Sequence, residues 1–258
     1  MAQIHATLAQ KRMTNEAFSL LARYELFPEL YFNSHDIDNM TESFLEYLEE
    51  VLGSHNFLSS LHAPFISQNI GSANTGQQQR SVKRLQNTLN IAGRLDSKPV
   101  VVHPGYGDIK GDDEFKQWLQ RATPDIKMLC QHAGSLGLKI AFENIYDSAP
   151  DHLAMLLDAA DSDNAGICFD TGHYNLFSPL PMQDWLKKLG KRILLCHVHD
   201  NDKSGDQHLA IGDGCLDYSP LISWYNKLAG KQQPIMTLEA LNPIDLIKSA
   251  ERISCWGI

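Results

Sequence analysis

Two histidines stand two residues apart at the end of an apolar run, Ile193-Leu-Leu-Cys-His197-Val-His199, and Asp206-Gln-His208 follows closely. If the run is a strand, alternation puts His197 and His199 on one face and Leu194, Cys196 and Val198 on the other. Imidazoles and a carboxylate gathered at a strand end are ligand chemistry for a divalent cation. The arrangement recurs along the chain: His62 in Leu-His-Ala-Pro-Phe, His103 in Val-Val-His-Pro-Gly, Glu143 in Ala-Phe-Glu-Asn, Asp170 and His173 in Phe-Asp-Thr-Gly-His, and Glu239 in Thr-Leu-Glu-Ala. With His199, Asp206 and His208 these make nine candidate ligands. Mixed nitrogen and oxygen donors suit Zn²⁺, Mn²⁺, Fe²⁺ or Co²⁺; all-oxygen sites suit Mg²⁺ or Ca²⁺ better.

Each residue also has a plainer reading. His62 and His103 precede proline turns and could be structural histidines, and Asp170 to His173 could be an Asx turn. Glu143 and Glu239 resist that reading, because carboxylates ending apolar strands are seldom buried without partners. Unpaired, so many charges in one pocket would be very unfavourable, and bound cations compensate them. His197 lies one layer deeper than His199 and reads as a supporting or core hydrogen-bonding residue. His5, His35, His55, His132 and His152 have no such company and are read as outside any site.

The elements that must position these residues follow from periodicity. Apolar, β-branched runs at 3–8, 29–32, 57–62, 99–103, 138–143, 166–170, 193–199 and 234–239 read as strands. Helical patterns lie between and after them at 14–24, 40–52, 75–95, 112–136, 150–160, 182–189, 219–228 and 243–253. Thr14 or Asn15 ahead of Glu16 and Ser219-Pro220 ahead of an apolar run supply cap chemistry, and Gly53 and Gly190 read as helix ends. Eight strands alternating with eight helices predict one α/β domain over 1–258, a (β/α)₈ TIM barrel. An open doubly wound sheet is disfavoured, since no Gly-x-Gly-x-x-Gly follows the first strand. In each late strand the apolar side faces outward and the last inward residue is a candidate ligand: Ile140 and Phe142 oppose Glu143, Ile167 and Phe169 oppose Asp170, Met236 and Leu238 oppose Glu239.

Composition narrows the partners. The 258 residues carry a formal charge of −9, which argues against general affinity for nucleic acid or an anionic membrane. No apolar run of membrane-spanning length and no signal-peptide pattern is present, so a cytoplasmic protein is expected. Cys130, Cys168, Cys196, Cys215 and Cys255 are widely spaced and read as reduced, mostly core residues. The Gln/Asn/Ser/Gly-rich stretch 67–79 reads as a loop.

The ordered motifs resemble the xylose isomerase-like barrels, which include the endonuclease IV (AP endonuclease family 2) branch and the sugar-phosphate isomerases and epimerases. The resemblance runs from His62 to Glu239 through His-Ala-Pro-Phe, His-Pro-Gly, Phe-Glu-Asn, Asp-Thr-Gly-His, His199-Asp-Asn-Asp, the Asp206-to-Gly214 stretch Asp-x-His-x-x-x-Gly-x-Gly, and Leu-Glu. In the endonuclease branch the resemblance implies three metals. His62, His103 and Glu143 would hold one; Glu143, Asp170, His199 and Glu239 a second; His173, Asp206 and His208 a third. In the epimerase branch it implies a single metal on Glu143, Asp170, His199 and Glu239, with the two glutamates as acid and base.

The expected activity is therefore a metal-dependent isomerase or epimerase of a small sugar or sugar phosphate, working through an enediolate. Glu143 and Glu239 would move the proton and His173 would orient a substrate oxygen. One to three divalent ions per chain, Zn²⁺ or Mn²⁺, are implied. The competing expectation is a multi-zinc phosphodiester hydrolase acting at abasic DNA sites, which the complete ligand set favours. The acidic charge, the short rim loops and the scarcity of basic residues near the site oppose it. The basic group Lys187, Lys188, Lys191 and Arg192 is expected at the other rim. A sugar- or metal-sensing barrel without catalysis is a third reading, and oligomeric state is left open.

Overall fold

The computed structural model describes residues 3–107, 109, 111–228 and 233–258. Eight parallel strands close on themselves in chain order: β1 (Ile4–Ala9), β2 (Phe27–Tyr31), β3 (Ser60–His62), β4 (Val100–Val102), β5 (Ile140–Glu143), β6 (Ala165–Asp170), β7 (Ile193–Val198) and β8 (Ile235–Leu238). Pairing of Ile4 with Met236 and Ala6 with Leu238 completes the ring. Outside it lie α1 (Asn15–Arg23), α2 (Ser34–Asp38), α3 (Glu42–Ser54), α4 (Thr75–Arg94), α5 (Asp112–Ser135), α6 (Asp151–Ala160), α7 (Thr171–Phe177), α8 (Met182–Leu189), α9 (Ser219–Tyr225) and α10 (Pro243–Ser254). Among the described residues no helix is long and apolar enough to cross a membrane.

The apolar material divides as alternation requires. Outward residues such as Val100, Val102, Phe142, Ile167, Phe169 and Met236 pack beneath helix residues including Trp118 and Trp185. Inside the ring the apolar layer is thin, made of Val101, Ala141, Cys168 and Leu195. The rest of the interior is polar and buried: His5, Glu29, Ser60, His197 and Thr237 are each 0% exposed. His5 is therefore not a bystander; its Nδ1 lies 2.9 Å from the Ser60 hydroxyl inside the barrel. The other four histidines set apart in the sequence serve packing or surface contacts: His152 stacks on Phe115, His55 on Phe57, His132 meets Asn90, and His35 meets Asn39.

Several boundaries differ from the periodicity. The strand read at 57–62 shrinks to Ser60–His62, because the chain turns at Asn56 (φ +53) and only Ser60 onward reaches partners on β2 and β4. Helix α3 runs through Gly53 to Ser54, and Gly190 keeps right-handed backbone (φ −51). Gly190 instead makes room for Trp224, since a Cβ there would fall 2.8 Å from the indole nitrogen. Thr14 does cap α1 by accepting from the Ala17 amide, whereas α9 is preceded by Tyr218 with no side-chain cap. Cys130, Cys168 and Cys196 are buried, Cys215 and Cys255 exposed, and all five are free. The loop read at 67–79 is cut short where α4 begins at Thr75.

Candidate metal centre

All nine candidate ligands come together at the C-terminal ends of the strands, where barrels place their sites. Glu143, ending β5, is the hub. Its Oε2 lies 3.1 Å from His103 Nε2 and 3.3 Å from His62 Nε2, and its Oε1 lies 3.3 Å from His173 Nδ1. His62 donates from Nδ1 to the Ala63 carbonyl at 2.9 Å, which leaves Nε2 as the nitrogen that faces Glu143. Phe65 stacks on His103 at 4.6 Å and on Tyr31 at 5.5 Å, so one aromatic wall steadies this side of the site.

The Asp170-Thr-Gly-His173 stretch is both the cap of a helix and part of the site. Asp170 Oδ1 accepts from the His173 amide at 2.6 Å and so starts α7, while Oδ2 lies 3.2 Å from His199 Nε2. The Asn144 side chain clamps the Asp170 backbone through bonds of 2.8 and 2.9 Å. Its own carbonyl accepts from His173 Nδ1 at 3.0 Å, and that aims His173 Nε2 at Asp206, 3.5 Å away. Gly172 is obligatory in this turn, because a Cβ would sit 2.0 Å from His199 Cε1.

The loop after β7 is held by Asp200, which is fully buried and accepts from the amides of Asn201, Gly212 and Leu216. That anchoring presents Asp206 and His208, whose Oδ2 and Nε2 lie 3.2 Å apart. His208 stacks on His199 at 4.0 Å and adopts φ +49, a strained value for a non-glycine residue. Glu239, just past β8, reaches His208 Nδ1 at 3.6 Å and His199 Nε2 at 3.8 Å.

Beneath this layer is a carboxylate absent from the candidate set. Glu29 accepts from His197 Nε2 at 3.0 Å and from the hydroxyls of Ser60 and Thr237 at 3.1 and 3.2 Å. The Thr7 hydroxyl lies between Glu29 and Glu239, at 3.2 and 3.3 Å. An acidic residue inside the apolar run Phe27-Pro-Glu-Leu-Tyr31 was the available signal for it.

The electrostatics are those of anionic groups surrounded by imidazoles. Burial pushes the Glu143 carboxyl up, but the facing imidazoles of His103 and His197 outweigh it and hold the group well below the usual carboxylate range. Asp170 behaves alike, burial being overcome by His173 and His199. Glu29 is held down to about 2, burial again being outweighed by His197. For His208 burial favours the neutral ring, yet the bond to Asp206 and the charge of Glu239 lift it to about 9. His5, enclosed with little compensation, is pushed down to about 4 by burial.

The donor set fits a divalent cation. Among the described residues, Glu143 Oε2, His197 Nδ1 and His199 Nδ1 are buried without a hydrogen-bond partner in the middle of the cluster. Buried polar atoms are rarely left unpaired, and here they face other lone-pair donors, which is the arrangement an ion satisfies. Among the groupings close enough to share one are His62 with His103 and Glu143, Glu143 with Asp170 and His173, His199 with Asp206 and His208, and His62 with His197 and Glu239.

A family model described as a xylose isomerase-like TIM barrel matches residues 24–252. The uncharacterized protein MJ1311 of Methanocaldococcus jannaschii is 28% identical over 214 residues, which is 80% of this chain and 72% of that protein. A probable endonuclease 4 of Mycobacterium leprae is 29% identical over 205 residues, 75% of this chain and 78% of that one. A solved structure described as a D-tagatose 3-epimerase-like protein superposes with a TM-score of 0.84 at 24% identity, covering 98% of this chain and 96% of its own; it speaks for the fold.

Proposed function

The chain belongs to the xylose isomerase-like TIM barrel family, and from that premise we propose that it is a metal-dependent isomerase or epimerase of a small sugar or sugar phosphate. The observation that carries this reading is the convergence of Glu143 and Glu239, from different strands, on one buried point: each has an oxygen 3.5 Å from His197 Nδ1. Two carboxylates at one polar, enclosed position are what proton abstraction and return beside a carbonyl require. Glu143, Asp170, His199 and Glu239 would hold the divalent ion, Zn²⁺ or Mn²⁺. When bound, that ion supplies electrophilic stabilisation of the negative charge that develops on the sugar oxygens.

The remaining roles belong to the chain. Glu239 stands nearer the opening and Glu143 at the buried hub, so one takes the proton from the reacting carbon and the other delivers one. His173, held by the Asn144 carbonyl, presents its Nε2 edge to a substrate oxygen. Tyr146 and Phe177, in edge contact at 5.1 Å and both exposed, supply apolar faces for a sugar ring beside a cavity of 1140 Å³ that also touches Lys203. The likeness to a D-tagatose 3-epimerase-like protein and the formal charge of −9 support a small sugar or sugar phosphate over a polyanion.

One observation favours a second reading, hydrolysis of DNA at abasic sites. The outer groups His62, His103, His173, Asp206 and His208 are assembled as fully as the central ones, and a relative is named probable endonuclease 4. A side-by-side assay separates the two. Protein reconstituted with Zn²⁺ or Mn²⁺ is given ketoses and aldoses, free and phosphorylated, and in parallel a duplex containing one abasic site. Formation of an epimer or isomer with the duplex intact is expected; strand cleavage without sugar turnover would replace the first reading with the second.

A further inference from the structure

The central ion has one more protein ligand than the family resemblance assigns. We propose that His197 binds it through Nδ1, with Glu29 as the carboxylate that orients the ring. This rests on the metal-centre reading above and adds a residue to it.

His197 is 0% exposed, and its Nδ1 has no hydrogen-bond partner. That nitrogen lies 3.5 Å from Glu143 Oε1, 3.6 Å from Asp170 Oδ2 and 3.5 Å from Glu239 Oε1. Donors that share one ion at about 2.1 Å stand roughly 3 to 3.5 Å apart. The nitrogen therefore stands at ligand-to-ligand spacing from oxygens of three residues, at distances too long for good hydrogen bonds. On its other side Nε2 donates to Glu29 Oε1 at 3.0 Å, which commits that nitrogen and leaves Nδ1 as the one that faces the three carboxylates. Glu29 is itself immobilised by Ser60 and Thr237, and Ser60 by His5. Metal-bound histidines usually carry such a carboxylate on the far nitrogen. The polar interior found beneath the site then has a purpose: it is the outer shell of the metal. His199 Nε2, 3.2 Å from Asp170 Oδ2, completes a five-donor set.

The test is a nuclear magnetic resonance measurement on the full chain, labelled with ¹⁵N in histidine and loaded with ¹¹³Cd²⁺. The Nδ1 resonance of His197 should be split by one-bond coupling to cadmium while its Nε2 keeps its proton. His197→Gln assigns the resonance, and if that variant does not fold, the shift caused by Glu29→Gln assigns it instead. Glu29→Gln should also weaken the central ion roughly 10- to 100-fold in competition with a chromophoric chelator. An unsplit His197 in a spectrum where other histidines are split overturns the inference alone. No splitting at any histidine overturns it together with the metal-centre reading.

Discussion

On the proposed function Glu143 and Glu239 would carry the proton, and their neighbours set the terms. Replacing either with glutamine keeps the shape and removes the proton carrier. Each variant should lose at least about 10²- to 10⁴-fold in turnover while unfolding cooperatively near the wild-type temperature. Full activity in either, measured by product formation on the same sugar, would remove both enzymatic readings. His208 supplies a pH dependence. Lifted to about 9, it carries a proton at neutral pH that a cation must displace. Affinity at the His173, Asp206 and His208 group should therefore rise with pH up to about 9, and binding at pH 7.5 should acidify a weakly buffered solution containing a pH indicator; no proton release would contradict it. His5 acts on stability in the other direction. Its folded value near 4 lies below the unfolded 6.5, so the unfolded chain binds the extra proton in that window and stability falls as pH drops from 6.5 to 4. The loss, about 3 kcal/mol at most, should be missing from His5→Gln in paired denaturant titrations.

At this scale the candidate ligands were legible because six of them, His62, His103, Glu143, Asp170, His199 and Glu239, stand at or just past the end of an apolar strand, where a charged side chain needs a reason, and His173, Asp206 and His208 follow shortly after. Glu29 and His5 were not. Each is a single polar residue inside a short run, and only closure of the ring reveals that Ser60, Thr237 and His197 face them.

Among the elements, β6 and α7 form the working joint. Asp170 ends the strand, caps the helix and faces His199, and Gly172 lets that histidine pass. Gly172→Ala should improve intrinsic helix propensity by up to about 1 kcal/mol, yet displace His199 and lower central-ion affinity by roughly tenfold or more. Chelator competition reads the effect, and unchanged affinity would mean that His199 is not held where the site needs it. The alternation of strands and long helices was plain in the sequence, since both periods persist over whole elements. Helices α2 and α7 escaped because five and seven residues do not establish a 3.6-residue period. The three-residue strands β3 and β4 were overdrawn for a related reason: apolar character continues past the few residues that find partners.

For the whole molecule, ring closure explains why residues 177 positions apart in the chain, His62 and Glu239, belong to one cluster. It also separates the site from the basic group Lys187, Lys188, Lys191 and Arg192, which precedes β7 and lines a cavity with Trp224 and Pro234 at the opposite rim. Lys188 and Arg192 are paired there with Asp151 and Asp158. On the proposed reading a small sugar would meet paired glutamates and aromatic faces at the strand ends, where Lys11 and Arg12 follow β1 and Lys203 follows β7. Solvent deuterium reports metal-dependent proton transfer at carbon directly. Metal-loaded protein turning over its sugar in D₂O should place one deuteron at the reacting carbon of the product. The label should vanish on chelation and in both Glu143→Gln and Glu239→Gln. Product formed at the normal rate with no deuterium at that carbon would contradict the account.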